Sequence, residues 1–97
     1  GGSVRAVADI AHNLQLLELT VTPGSPMRGY SLSELELPAD ARVLAFGKEG
    51  QQLDLPDADA SLEVGDRVVA IADFDVLREV EQIIVGETDP ALAQGGV

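Results

Sequence analysis

The chain has 97 residues, which is enough for one small domain with a single hydrophobic core. Its 17 Asp and Glu residues against 6 Lys and Arg give a net charge of −11. Such a surface repels phosphate backbones and anionic lipids, which excludes nucleic-acid binding and direct membrane insertion. No apolar run reaches the length of a membrane span, and the lack of Cys excludes a disulfide framework and a thiolate metal site, which fits a cytoplasmic protein.

The acidic composition has two interpretations. Excess carboxylates, a single Lys and few aromatic residues resemble the composition of proteins from halophilic archaea. In such proteins carboxylates hold a hydration shell while salt screens their mutual repulsion. The alternative is an ordinary acidic protein without salt adaptation.

The first residues are predicted to lie outside the main domain. Gly1-Gly2-Ser3 contains no initiator Met, so residues 1–3 are predicted to be an expression remnant. Apolar residues then recur at helical spacing, at Val4, Val7, Ile10, Ala11 and Leu14. This spacing predicts an amphipathic helix over 4–14, and we assign residues 4–15 to a connector helix.

A strand and a short helix are predicted next. Leu17, Leu19 and Val21 alternate with polar residues, which predicts a half-buried strand that ends in the loop at 23–26. Ser31, with Glu34 three residues later, fits a capping box at the start of a short helix. That helix should bury Leu32 and Leu35 and end at Pro38.

Three further strands and a last helix complete the prediction. Residues 42–47 form a second strand, the turn at 48–50 leads to a short third strand around Leu53 and Leu55, and residues 67–72 form the fourth. Asp73 or Asp75 caps the final helix, whose buried stripe comprises Leu77, Val80, Ile83 and Ile84. Residues 87–97 are predicted to be a polar flexible tail. The fold class is α+β: a leading helix, then β-α-β-β-β-α, with a small antiparallel sheet and helices packed on one side.

The order of these pieces resembles the C-terminal (TrkA-C) domain of RCK-type regulators of potassium and cation transport. The resemblance spans about residues 16–85 and rests on the order and spacing of its pieces: the strand at 19–21, Gly29 with the helix at 31–35, the strand and hairpin at 43–50, Pro56 in a polar loop, and the Leu62–Asp66 turn before the apolar strand at 68–72 and the amphipathic helix at 75–84. Independently of the family, Gly29 and Gly65 suit tight turns, and Asp66 can accept a hydrogen bond from its own turn.

The resemblance implies a ligand cleft between two subunits. Its walls would be the ligand-binding residues Leu37, Pro38, Ala39, Arg42, Val43 and Pro56. Arg42, the one cation among them, is the natural partner for an anionic, nucleotide-type regulatory ligand; the structural alternative is a surface ion pair with Glu36 or Asp40. Family members that bind cyclic di-AMP carry a longer segment before the strand, with a late Asn. The short segment at 37–41 lacks that Asn, which argues against cyclic di-AMP here.

Catalytic machinery is missing from the sequence. His12 is the sole His, and no nucleophile motif, phosphate-binding Gly-rich loop or dinucleotide fingerprint accompanies it, so we predict no enzyme and no resident cofactor. Asp54, Asp57 and Asp59 lack the central Gly and terminal Glu of a calcium-binding loop, so no metal site is assigned.

The resemblance implies a cytoplasmic regulatory homodimer whose ligand gates an associated channel or transporter. The upstream partner would be an RCK nucleotide-binding lobe or a membrane transport protein. Two alternatives remain open: a purely structural dimerisation module without a ligand, and a module that senses divalent cations with its acidic surface.

The halophile interpretation predicts how stability depends on salt. Repulsion among 17 carboxylates should weaken as the Debye length falls from about 10 Å at 0.1 M to about 3 Å at 1 M salt. The melting temperature should therefore rise steadily as potassium chloride is added over that range. A flat or falling profile would instead support the ordinary acidic protein.

Overall fold

The computed structural model describes residues 2–11 and 13–86. The predicted flexible tail at 87–97 and His12 lie outside the described residues. The assignment of residues 1–3 to an expression remnant stays a prediction; the Ser3 carbonyl accepts a hydrogen bond of 2.9 Å from the Thr20 amide.

One antiparallel sheet of four strands organises the described residues. The strands are β1 (Val4–Ala11), β2 (Leu14–Thr20), β3 (Arg42–Gly47) and β4 (Arg67–Asp73), and their spatial order is β1-β2-β4-β3. β2 and β4 pair without interruption along seven residues, from Leu14 opposite Asp73 to Thr20 opposite Arg67. A 3-10 turn at Phe74–Val76 leads directly into the helix α1 (Leu77–Ile84). The predicted α+β class and antiparallel sheet agree with this architecture.

The predicted leading helix is wrong, because residues 4–11 form the edge strand β1. Its pairing with β2 shifts register twice, between Ala6 and Ala8 and between Asp9 and Ala11. Each bulge adds a residue to the strand, so the alternation of two is stretched locally to a spacing of three that imitates a helix. Asn13 has a left-handed φ of 64° and lies in the reversal between β1 and β2. Asn is enriched at such positions, so this residue is the feature of the sequence that indicates a turn here.

Two other predicted elements are shorter than expected. The capped helix is a single 3-10 turn at Leu32–Glu34, with the Glu34 carboxylate accepting the Ser31 amide at 2.8 Å as the capping box requires. The third strand reduces to one bridge between Phe46 and Asp54, and Leu55 is 83% exposed. Pro56 follows at once and cannot donate to a sheet ladder, which limits this pairing.

The hydrophobic core lies on one face of the sheet, under α1. Alternate residues of β2 and β4 point into it, and Val80 and Ile84 of α1 close it from above, as the predicted helix stripe requires. Neither Asp73 nor Asp75 caps α1 itself, because the N-cap residue of α1 is Val76 and has no side-chain capping bond. Asp73 instead caps the 3-10 turn before α1, where its carboxylate accepts the Asp75 amide at 2.9 Å. The buried core side chains on the strands are Leu17, Leu19, Phe46, Val68, Ala70 and Ala72.

The opposite face of the sheet, called here the open face, has a different environment. Its apolar centre consists of Leu16, Ala45, Val69 and Ile71, which lie in register across three strands. All four are half-buried, and none belongs to the core or packs against it. No helix of the described residues covers the open face, since α1 lies on the core face.

Asp66 is a buried carboxylate that ties two turns together. Its side chain is 2% exposed. One oxygen accepts the Glu49 amide at 3.0 Å, and the other accepts the Glu63 amide at 2.8 Å and the Lys48 ammonium at 2.6 Å. Gly65, with φ of 92°, gives the preceding turn the left-handed conformation that places Asp66 there. The predicted bond within its own turn is confirmed, and the bonds to the β3 hairpin are additional.

Replacing Asp66 should destabilise the domain far more than replacing Lys48. Asp66→Ala leaves two amides and the ammonium without their acceptor and should cost about 3 kcal/mol or more of unfolding free energy. Lys48→Met removes a partner that is 45% exposed and should cost at most about 1 kcal/mol, because both amide bonds remain. Urea unfolding followed by circular dichroism measures both values. Equal losses would mean that the ion pair, and not the amide bonds, holds the turns.

Candidate functional site

An open cleft of about 780 Å³ lies where β2 begins and β4 ends. Its apolar floor includes Leu14, Ile71, Ala72 and Val76, contributed by the ends of both central strands and the 3-10 turn before α1. The segment before β3 supplies the remaining wall, where Ala39 holds a left-handed φ of 53°. An apolar floor with a few polar groups at its rim is the usual form of a small-molecule site.

The rim of the cleft carries one guanidinium and three carboxylates. Arg42 is exposed at the first position of β3, opposite Ile71 of β4. Asp40, Asp73 and Asp75 are the acidic lining residues. The Arg42 guanidinium forms no hydrogen bond or ion pair with any other described residue, so the alternative ion pair with Glu36 or Asp40 is not formed. Its five donors are available to a ligand.

The structure brings together two of the six predicted ligand-binding residues. Ala39 and Arg42 line the cleft. Leu37 and Val43 pack against the core instead, because Val43 pairs with Ala70 and points to the core face. Neither Pro38 nor Pro56 is among the described lining residues, and Pro56 is exposed in the loop beyond the Asp54 bridge.

Sequence reasoning did not include most of the lining residues. The sequence predicts Asp73 and Asp75 only as helix caps, although polar residues that follow an apolar strand often mark a functional site. Leu14 was assigned to the leading helix, and that error concealed its place opposite Asp73 at the start of β2. The missed lining residues are Leu14, Asp40, Ile71, Ala72, Asp73, Asp75 and Val76.

The acidic loop at 54–59 uses its carboxylates locally. Asp54 accepts the Leu55 amide at 3.0 Å, and Asp57 accepts the Asp59 amide at 2.9 Å. Within the described part of the chain, no group of three or more His, Cys, Asp or Glu side chains is arranged to hold a metal ion. Nor does any helix there have the length and apolarity needed to cross a membrane.

Comparison with known families matches residues 16–85 to the model of the TrkA-C domain. The chain belongs to the TrkA-C domain family. Domains of this family are regulatory parts of potassium transport systems and are in general not enzymes. The matched range begins inside β2 at the point that the sequence resemblance indicated, so β1 precedes the family's common segment.

A solved structure supports the fold. The chain is similar to a structure titled "Crystal Structure of the GsuK RCK domain", with a TM-score of 0.72 and 24% identity. The alignment covers 89% of this chain and 19% of that chain. The domain therefore spans about a fifth of the protein it resembles. Among curated proteins, none matches the chain.

Removing the Arg42 side chain should leave the stability of the domain almost unchanged. Because Arg42 is exposed and unpaired among the described residues, Arg42→Ala should alter the unfolding free energy by less than about 0.5 kcal/mol. Arg67→Ala is the matched comparison, since the Arg67 guanidinium donates to the Gln51 carbonyl and approaches Glu18, and should cost about 1 kcal/mol. Urea titration of both variants gives the values. A loss of 2 kcal/mol or more in Arg42→Ala would assign that residue to the scaffold.

Proposed function

We propose that this domain is a ligand-sensing dimerisation module on the cytoplasmic side of a potassium or other cation transport system. Two copies pair, and a small ligand in the cleft alters their relative orientation and so gates an attached channel or transporter. The observation that carries the proposal is the unpaired Arg42 guanidinium at the rim of an apolar cleft, in a domain of a regulatory family.

The charges of the rim limit the ligand. A guanidinium pairs well with one carboxylate or phosphate, often through two parallel hydrogen bonds. Asp40, Asp73 and Asp75 line the same cleft and repel any further negative charge. A ligand whose charge is confined to one phosphate, such as a nucleoside monophosphate, can place all of that charge against Arg42. It therefore fits better than a cyclic dinucleotide, whose two phosphates are separated so that one of them would face the rim carboxylates.

Gating requires more than binding. A ligand shifts an equilibrium between two arrangements only by the difference in its affinity for them. Ile71 lies on the cleft floor and also on the open face, so the cleft and a natural docking surface share a side chain. A ligand touching Ile71 can therefore change the contact between subunits directly.

The second candidate is a structural dimerisation module without a ligand. The uncovered apolar centre of the open face favours it independently of the cleft. A divalent-cation sensor receives no support from the described carboxylates, whose arrangement offers no metal-binding group.

Thermal-shift titration decides among these functions. Wild type, Arg42→Ala and the control Arg28→Ala, whose exposed Arg lies outside the described cleft lining, are titrated with adenosine monophosphate, adenosine triphosphate and cyclic dinucleotides. A monophosphate at 100 times its dissociation constant should stabilise wild type and Arg28→Ala by about 2.7 kcal/mol, with no saturable shift in Arg42→Ala.

Two results would change the assignment. If no nucleotide shifts wild type, the ligand-free module replaces the sensor. If magnesium or calcium chloride raises the melting temperature of wild type more than sodium chloride of equal ionic strength does, the cation sensor replaces the proposed function.

A further inference from the structure

We infer that the open face is the surface through which two copies of this domain pair, sheet against sheet, with the strands of one copy reversed relative to the other. The inference rests on the proposed dimerisation and assigns its surface and orientation. It follows from the position of apolar and charged side chains on the open face.

The first step is the apolar centre of the open face. Leu16 stands opposite Ile71 across the β2–β4 ladder, and Ala45 stands opposite Val69 across the β3–β4 ladder. These side chains form one contiguous patch on the two central strands and an edge strand. None of them contacts the core cluster, so the patch contributes nothing to the interior of a single copy. Contiguous exposed apolar patches of this kind mark interaction surfaces.

The second step is the charge of the open face. Arg5, Arg67 and Arg42 lie on this face with Glu18 and Asp73, and Asp40 and Asp75 border it at the cleft, so three basic residues stand against four acidic ones and the net charge is only −1 among the described residues. The whole chain carries −11. Two copies that approached through their acidic surfaces would repel each other, whereas the open face lacks that repulsion. Two open faces can therefore approach each other without the strong repulsion that separates the acidic surfaces, and the distribution of charge within the face decides how they pair.

The third step is the polarity of the open face along its strands. At the basic end, Glu18 lies between Arg5 at 3.4 Å and Arg67 at 3.9 Å. At the cleft end, Arg42 and Asp73 are joined by the rim carboxylates of Asp40 and Asp75. One end is thus net positive and the other net negative.

This polarity fixes the orientation of the pair. Consider a two-fold axis that lies between the two sheets, parallel to their planes and perpendicular to the strands. It reverses the strand direction and places the basic end of each copy over the cleft end of the other. An axis parallel to the strands would stack like ends on each other and is disfavoured. In the reversed arrangement Arg67 of the partner subunit approaches Asp73 and Asp75, and the cleft lies at the border between the two subunits.

The size of the surface predicts a reversible pair. Four strands about 4.8 Å apart and about seven residues long at about 3.4 Å each give a projected footprint of roughly 460 Å². The corrugation of side chains raises the accessible area, but the total remains near the lower limit of specific interfaces. A contact of this size suits an equilibrium that a ligand at its border can shift.

The first test places a charge in the apolar centre. Val69 is half-buried on the open face. Val69→Asp should raise the dimer dissociation constant at least about 100-fold, because the pair would bury two carboxylates without partners. Leu55→Asp is the matched control, since Leu55 is 83% exposed and lies outside the open face, and it should pair as wild type does. Sedimentation velocity at micromolar concentration and 0.5 M salt measures the mass, and circular dichroism verifies the fold.

The second test concerns orientation and does not depend on the fold of the Val69 variant. Arg67→Glu and Asp75→Arg each place like charges together in the reversed pair and should each weaken it about tenfold at 0.1 M salt. The double variant restores an opposite pair and should recover most of the affinity. A double variant weaker than both single variants would overturn the reversed orientation.

The outcomes separate this inference from the proposed function. If wild type is a dimer and folded Val69→Asp remains one with unchanged affinity, dimerisation stands but the open face is not its surface. If wild type is a monomer at every concentration and salt, both the proposed dimerisation and the assigned surface are wrong.

Discussion

The fold depends on one buried carboxylate whose two oxygens both accept hydrogen bonds. Asp66 accepts the amides of Glu49 and Glu63 and the ammonium of Lys48, so it joins the hairpin after β3 to the turn before β4. The Asp66 carbonyl also accepts the Val21 amide, which fixes the chain leaving β2 against the same point. Three strands are thus held at one end by a single residue. A charge in the interior is tolerated only when its hydrogen-bonding capacity is satisfied, and here it is.

The consequences of this attachment extend along the sheet. With β3 fixed at Gly47, its ladder with β4 determines where Arg42 lies five residues away, at the other end of the strand. Lys48 also stands 5.7 Å from the centre of the Phe46 ring, which keeps that ring in the core wall. The end of the sheet at Asp66 and the end at the cleft therefore contain different residues, and the β3–β4 ladder, with one register shift between Val43 and Ala45, joins them. Variation at the cleft leaves the attachment point intact.

Elements marked by strong local chemistry could be predicted from the sequence. The alternation in β2, the apolar stretch of β4, the helix stripe of α1 and the turn at Gly65 and Asp66 all had a single physical interpretation. β1 could not be predicted in this way, because its two bulges convert a strand period into an apparent helix period. The same error affected the prediction of the cleft. With Leu14 assigned to a helix, its position beside Asp73 and Ile71 at the strand ends could not be inferred. Only the wall formed by Ala39 and Arg42 was accessible, and it came from family resemblance.

The open face and the cleft cannot act independently, since Arg42, Asp73 and Ile71 belong to both. A ligand anion paired with Arg42 neutralises a positive charge at the cleft end and makes that end more negative. In the proposed reversed pair this end would face the net positive end of the second copy, so the attraction between subunits would increase. A ligand bulky enough to cover Ile71 has the opposite effect, because it separates the two apolar centres. Under the proposed function, the same cleft would thus tighten or loosen the pair according to the size of the ligand. By linkage, subunit pairing changes ligand affinity by the same factor.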